Sequence, residues 1–189
     1  MNEGRTKREW RTEFLRRRAE TEPGAIRAIL SHAKAWIPAQ RPVCVHGYLA
    51  KRDTHEIETR DLLAFLVSSG MDVVVPRILD VVTGTMQLVN WHPDMPHHLN
   101  RFGIEEPVGG EVVSRLDVDL WIVPLLGVDK AGNRLGYGAG FYDRMLKDTA
   151  GVKVGLLPEA CVVETLPVEP YDVPVDVIIT ENGVFNSYL

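Results

Sequence analysis

The chain has 189 residues, 45% of them hydrophobic and 25% charged, a globular composition long enough to form one core without disulfide or metal staples. Cys44 and Cys161 both sit in apolar runs, so buried reduced thiols and a cytoplasmic address are expected; no stretch approaches the ~20 apolar residues of a spanning helix, and secretion and membrane insertion are disfavoured. Net charge is −5, yet the first 18 residues hold seven basic against three acidic side chains, either a solvated helix face or a cationic arm for phosphates or nucleic acid.

In chain order, Trp10, Phe14 and Leu15 fall at helical spacing among charges, which predicts an amphipathic basic helix over about 6–20. A second helix follows Pro23 through Ile26, Ile29, Leu30 and Ala33 and should stop before Pro38. Val43–His46 reads as a buried strand, 61–69 as a helix and Met71–Pro76 as a strand ending at proline, which together imply a parallel crossover. Met86–Trp91 alternates like a strand, whereas 92–118 reads as a long irregular excursion. Leu120–Pro124 is a buried strand followed by a glycine-rich loop and a helix near 141–147; Val152–Leu157 and Val175–Thr180 complete a sheet of about five to seven strands. The expected fold is a single α/β domain over 1–189, an open, mostly parallel sheet with helices on both faces.

The segment 132–143 carries the most chemistry. Alternating Gly136, Gly138 and Gly140 let backbone N–H groups approach an anion, with the dipole of the following helix behind them. Arg134 and Arg144 flank the loop as candidate phosphate clamps, and Asp143 offers a carboxylate for Mg²⁺. The spacing matches neither a Walker loop nor a dinucleotide fingerprint, and a tight structural turn is the competing explanation. His55-Glu-Ile-Glu-Thr lacks the second histidine of a zinc protease, the histidines of 92–98 read as a surface loop, and Cys161 has no activating partner in sequence.

The block from Asp119 through Val123-Pro-Leu-Leu-Gly-Val-Asp129, then Gly132-Asn-Arg-Leu-Gly-Tyr-Gly-Ala-Gly-Phe-Tyr-Asp-Arg144, resembles the signature of the 5-formyltetrahydrofolate cyclo-ligase family. Lys7-x3-Arg11, His55-Glu-Ile-Glu-Thr, Val75-Pro-Arg77, Gly103-Ile-x2-Pro107 and Leu166-Pro-Val-Glu-x2-Asp172 extend the resemblance along nearly the whole chain. It implies an enzyme that converts 5-formyltetrahydrofolate to 5,10-methenyltetrahydrofolate with ATP and Mg²⁺, releasing ADP and phosphate through a phosphorylated formyl group. It further implies that Lys7 and Arg11 reach the ATP phosphates and that Arg134, Leu135, Gly136, Tyr137, Gly138, Ala139, Gly140, Phe141 and Tyr142 wrap the triphosphate. Arg134 and Tyr142 would be catalytic, Glu56 with 137–141 would contact the folate, and Asp143 and Asp176 would hold Mg²⁺. The other arginines of the first helix keep the solvated reading, Asp143 and Asp176 have the alternatives of a helix cap and a strand-start polar residue, and Arg77 is balanced between anion contact and surface ion pair. Pro158, Cys161 and Tyr171 depart from the family's usual aromatic, Gln and His, which leaves a diverged member acting on another formylated ligand as the alternative. A nucleic-acid-binding module is the less favoured one. A monomer or small homo-oligomer is expected.

Overall fold

The computed structural model describes residues 4–187. Helix α1 (Lys7–Ala19) opens on a capping box: the Thr6 side chain accepts from the Glu9 N–H while the Glu9 carboxylate accepts from the Thr6 N–H at 2.7 Å. Its buried stripe is Trp10, Phe14 and Arg18, four residues apart and thus on one face. Helix α2 (Pro23–Ala39) starts on Pro23, whose missing N–H costs nothing there. It runs through Pro38 instead of stopping before it, because the buried Ile29, Ala33 and Ile37 hold the last turn against the sheet.

Strand β1 (Cys44–His46), helix α3 (Arg60–Ser68) and strand β2 (Asp72–Asp80) form the expected parallel crossover, followed by β3 (Thr85–Asn90). β2 continues past Pro76 because β1 flanks it only from Asp72 to Val74; beyond that point only β3 pairs with it, and a residue without an N–H is tolerated. Within 92–118 lie short β4 (His97–Leu99), β5 (Glu105–Pro107) and β6 (Val112–Val113). Then come β7 (Leu120–Val123), β8 (Gly127–Asp129), β9 (Arg134–Leu135), helix α4 (Phe141–Leu146), β10 (Val152–Leu156), β11 (Val162–Val163), β12 (Val177–Thr180) and β13 (Gly183–Asn186).

The main sheet has eight strands in the order β13-β12-β10-β7-β1-β2-β3-β6, with β12, β10, β7, β1 and β2 parallel. Strand alternation divides the core. Val45, Val75, Ile122 and Ile179 face α2 and α3, whereas Val74, Trp121 and Ile178 face α1, α4 and a small sheet of β11-β8-β9. Helices therefore cover both faces, as the sequence predicts. The chain reverses its winding between β1 and β7, and in a doubly wound sheet the crevice at the carboxyl ends of such a strand pair is where ligands bind.

Candidate active site

A cavity of about 270 Å³ opens at that crevice, reached by Tyr48 and Leu49 after β1 and Pro124 after β7. Its two ends differ in chemistry. At one end α1 presents Lys7 and Arg11 over the glycine-rich segment. Arg11 Nε donates to the Gly136 carbonyl at 2.9 Å. Gly138 has φ +99°, and a Cβ there would lie 3.1 Å from Arg11 Cζ, so only glycine allows this approach. Lys7 Nζ sits 2.6 Å from both Glu169 Oε2 and Asp172 Oδ2.

Arg134, 8% exposed, donates through Nη2 to Asp143 Oδ1 at 2.6 Å, while its buried Nε has no partner. Burial works against the guanidinium's charge and the Asp143 carboxylate beside it works for it. Asp143 Oδ1 also accepts from the Val173 N–H at 3.2 Å. Arg144, the second clamp candidate of the sequence, folds back onto the Ala139 and Gly84 carbonyls, at 2.8 and 3.2 Å, and so ties the loop to the β2–β3 turn. Helix α4 has six residues, too few for the strong helix dipole that the sequence suggests behind the loop.

The other end is lined by the apolar Ile78, Met86, Phe102 and Ile104, with Glu56, Glu105 and Glu106 in the same wall. Glu56 Oε2 accepts from the Lys51 N–H at 2.8 Å, and Oε1 lies 3.3 Å from the Tyr137 hydroxyl. Burial raises the Glu56 carboxyl from its ordinary value, and burial pushes Tyr137 up to about 12, so the phenol is the donor of that pair. Between the two ends stands Tyr142, its hydroxyl 3.5 Å from His46 Nε2. His46 Nδ1 faces the Ile122 carbonyl at 3.1 Å; a carbonyl can only accept, so Nδ1 carries the proton and Nε2 accepts from Tyr142.

Most predicted site residues converge here: Lys7, Arg11, Glu56, Arg134, Gly136 to Tyr142 and Asp143 all line the cavity. Leu135 does not, because its side chain is 3% exposed in the core and only its backbone serves the hairpin. Asp176 is set apart as well. It lies at the amino end of β12, outside the cavity lining, where its carboxylate accepts from the Lys153 N–H at 2.7 Å. Arg77 donates to the Gly109 carbonyl at 2.9 Å and lies outside the lining too. Of Pro158, Cys161 and Tyr171, only Tyr171 reaches the cavity; Pro158 caps a 3₁₀ turn and Cys161 is fully buried behind Phe14.

Sequence reasoning passed over three residues. Arg18 is 4% exposed, not solvated. His46 packs on Trp121 with ring centroids 4.9 Å apart, and Asp129 builds the β8–β9 turn by accepting from the Ala131 and Asn133 N–H groups. Two of the α1 surface arginines are paired, Arg16 with Glu13 and Glu20 and Arg17 with Glu13, which weakens the positive stripe a nucleic acid would need. Among the described residues no helix is long and apolar enough to cross a membrane.

A doubly wound parallel sheet with a cleft at its winding reversal, bordered by a glycine-rich loop and basic side chains, has the layout of an α/β enzyme of the small-ligand type. The chain matches the 5-formyltetrahydrofolate cyclo-ligase family over residues 3–181 and belongs to it. It is 34% identical to the 5-formyltetrahydrofolate cyclo-ligase of Escherichia coli K12 over 69% of this chain and 74% of that one. With the Mycolicibacterium smegmatis enzyme of the same name it shares 31% identity over 93% and 94% of the two chains. The solution structure of Aquifex aeolicus 5,10-methenyltetrahydrofolate synthetase superposes with a TM-score of 0.80 at 29% identity, covering 97% of this chain and 93% of that one.

Proposed function

We propose that this enzyme converts 5-formyltetrahydrofolate to 5,10-methenyltetrahydrofolate at the expense of ATP. The observation that carries the reading is the two-ended cavity: Lys7, Arg11 and Arg134 over the glycine-rich segment at one end, and an apolar chamber holding Glu56 at the other, with Glu105 and Glu106 also in its wall. That layout suits a polyphosphate meeting a pterin whose N–H edge needs an anionic acceptor. An amide oxygen is a poor leaving group. In the proposed sequence the formyl oxygen attacks the γ-phosphorus and ADP departs; N10 then adds to the activated carbon, loses its proton, and phosphate leaves.

Lys7 and Arg11 would neutralise the phosphates, with Lys7 exchanging its present carboxylate partners for them. Arg134 would follow the transferring group, its unpartnered Nε supplying a donor already buried in place. Burial holds the Tyr142 phenol well above its ordinary value, so it would orient substrate by hydrogen bonding and not act as a base.

The residues also suit a divalent ion carried in by the nucleotide. Among the described residues no group of three or more His, Cys, Asp or Glu side chains is arranged to cage a metal, and Mg²⁺ bound through one carboxylate plus phosphate oxygens needs none. Asp143 would hold it, while Asp176 is not proposed as a ligand. When bound, the ion would neutralise charge on the phosphate oxygens. Both cysteines are free and buried, which supports a reducing, cytoplasmic setting. The test is growth of the methenyl chromophore with 5-formyltetrahydrofolate, ATP and Mg²⁺, omitting each in turn. Activity should vanish without nucleotide, with ADP formed one-to-one; product without ATP would overturn the reading.

A further inference from the structure

We infer that Arg18 is a positioning residue for the folate-binding carboxylate, acting through the Tyr137 hydroxyl on Glu56 from beneath the cavity. The starting point is an imbalance. Arg18 is 4% exposed, and its guanidinium forms no ion pair among the described residues: Nη2 donates to the Leu125 carbonyl, Nη1 lies 3.5 Å from Tyr137 Oη, and Nε has no partner. A buried cation without a counter-charge is strongly penalised. The thiol of Cys161, beside it, is raised by burial to about 11 and stays neutral.

The anion that balances Arg18 stands one hydroxyl away. Tyr137 Oη is 3.3 Å from Glu56 Oε1, and burial keeps the phenol protonated. Arg18 can only donate, so Tyr137 accepts from it and turns its own proton outward. Thr54 Oγ1, 3.1 Å away, competes for that proton, but a carboxylate is the stronger acceptor. Donors thus run in one direction, Arg18 to Tyr137 to Glu56, which fixes Oε1 while the Lys51 N–H fixes Oε2. The other groups facing Glu56 are the Tyr142 phenol from the glycine-rich segment and the Tyr48 phenol and Lys51 ammonium from the loop after β1. Burial opposes the Glu56 charge, and Arg18 is the cation from a distant element that supports it.

The inference rests on Glu56 meeting the folate, so the experiment reads the two separately. In the full chain without ligand, the Glu56 carboxyl is titrated by ¹³C NMR. Arg18→Met should raise its midpoint, Arg18→Lys should recover part of the shift, and Tyr137→Phe, which keeps the guanidinium, should move it the same way. In kinetics, Arg18→Met should raise KM for 5-formyltetrahydrofolate about tenfold while KM for ATP stays near wild type. A midpoint unmoved in both Arg18→Met and Tyr137→Phe overturns the inference, as does an equal rise of both KM values with no midpoint shift, the mark of a merely structural arginine. If Arg18→Met fails to fold, Tyr137→Phe alone decides. Glu56→Gln run alongside should raise the folate KM; an unchanged folate KM there would remove Glu56 from the folate site while the titration still decides the role of Arg18.

Discussion

Arg134 joins a buried ion pair to an unused donor, and this combination separates structural from catalytic demand. Removing it leaves the partly buried Asp143 without its cation, so Arg134→Ala should cost about 3–5 kcal/mol of stability, the range for breaking a buried pair. Arg134→Lys keeps the charge and much of the stability but cannot reproduce the planar fork, so it isolates chemistry. By analogy with arginines in other phosphoryl-transfer sites, Arg134→Ala should lower kcat by roughly 10³-fold, and Arg134→Lys should restore only part of that. The measurement is steady-state kinetics on both variants with melting temperatures alongside; a folded lysine variant with wild-type kcat would refute the assignment. Arg134 and Glu56 were legible because they sit inside motifs. Arg18 was not, since Arg16, Arg17 and Arg18 look alike in a charged run and only the 4% exposure of the third distinguishes them. Asp176 lies away from the cavity for the converse reason: a strand-start aspartate has a backbone N–H to accept, and here it takes that of Lys153.

At the level of elements, the cationic end depends on how closely α1 approaches β8. Phe14 stacks on Trp10 with centroids 5.1 Å apart and presses against Gly127, where an added Cβ would come within 2.2 Å of the Phe14 ring. Gly127→Ala should therefore cost about 1–3 kcal/mol, the usual penalty for overpacking, read as a lower urea midpoint. Because α1 also carries Lys7 and Arg11, the same substitution should raise KM for ATP more than KM for folate. Adding Phe14→Leu should recover part of the loss, and strictly additive effects would show that the two residues do not touch. Trp10 and Phe14 were readable from helical spacing. The β8–β9 hairpin was not, because its strands are two and three residues long and its turn is set by the Asp129 side chain, not by hydrophobic alternation. Pro38 and Pro76 misled for different reasons: Pro76 lies where its missing N–H has no strand partner to lose, whereas Pro38 forgoes a helical bond but is held by the buried Ile29, Ala33 and Ile37.

Across the whole molecule, alternating strand and helix signals give the parallel sheet, but the order β2-β1-β7-β10-β12 comes from pairings that no local pattern encodes, and that order creates the cavity. His46, at the carboxyl end of β1, is the residue through which this placement should be felt in global stability. It is fully buried, and burial lowers its pKa from 6.5 to about 3. Between those values the unfolded chain binds a proton that the folded protein refuses, so stability rises with pH across the window and falls by about 1.4 kcal/mol for each unit below 6.5. Glu56, raised by burial above its ordinary 4.5, acts in the opposite sense, and His97, lowered by burial, acts in the same one. Both are common to wild type and a His46 variant, so the informative quantity is the difference between the two. His46→Gln retains a donor for the Ile122 carbonyl and an acceptor for Tyr142 without titrating. Urea unfolding at a series of pH values from about 7 to about 5 should show wild type losing stability more steeply than His46→Gln, with the two curves parting below pH 6.5. Parallel curves would mean that His46 protonates inside the folded protein as readily as outside it.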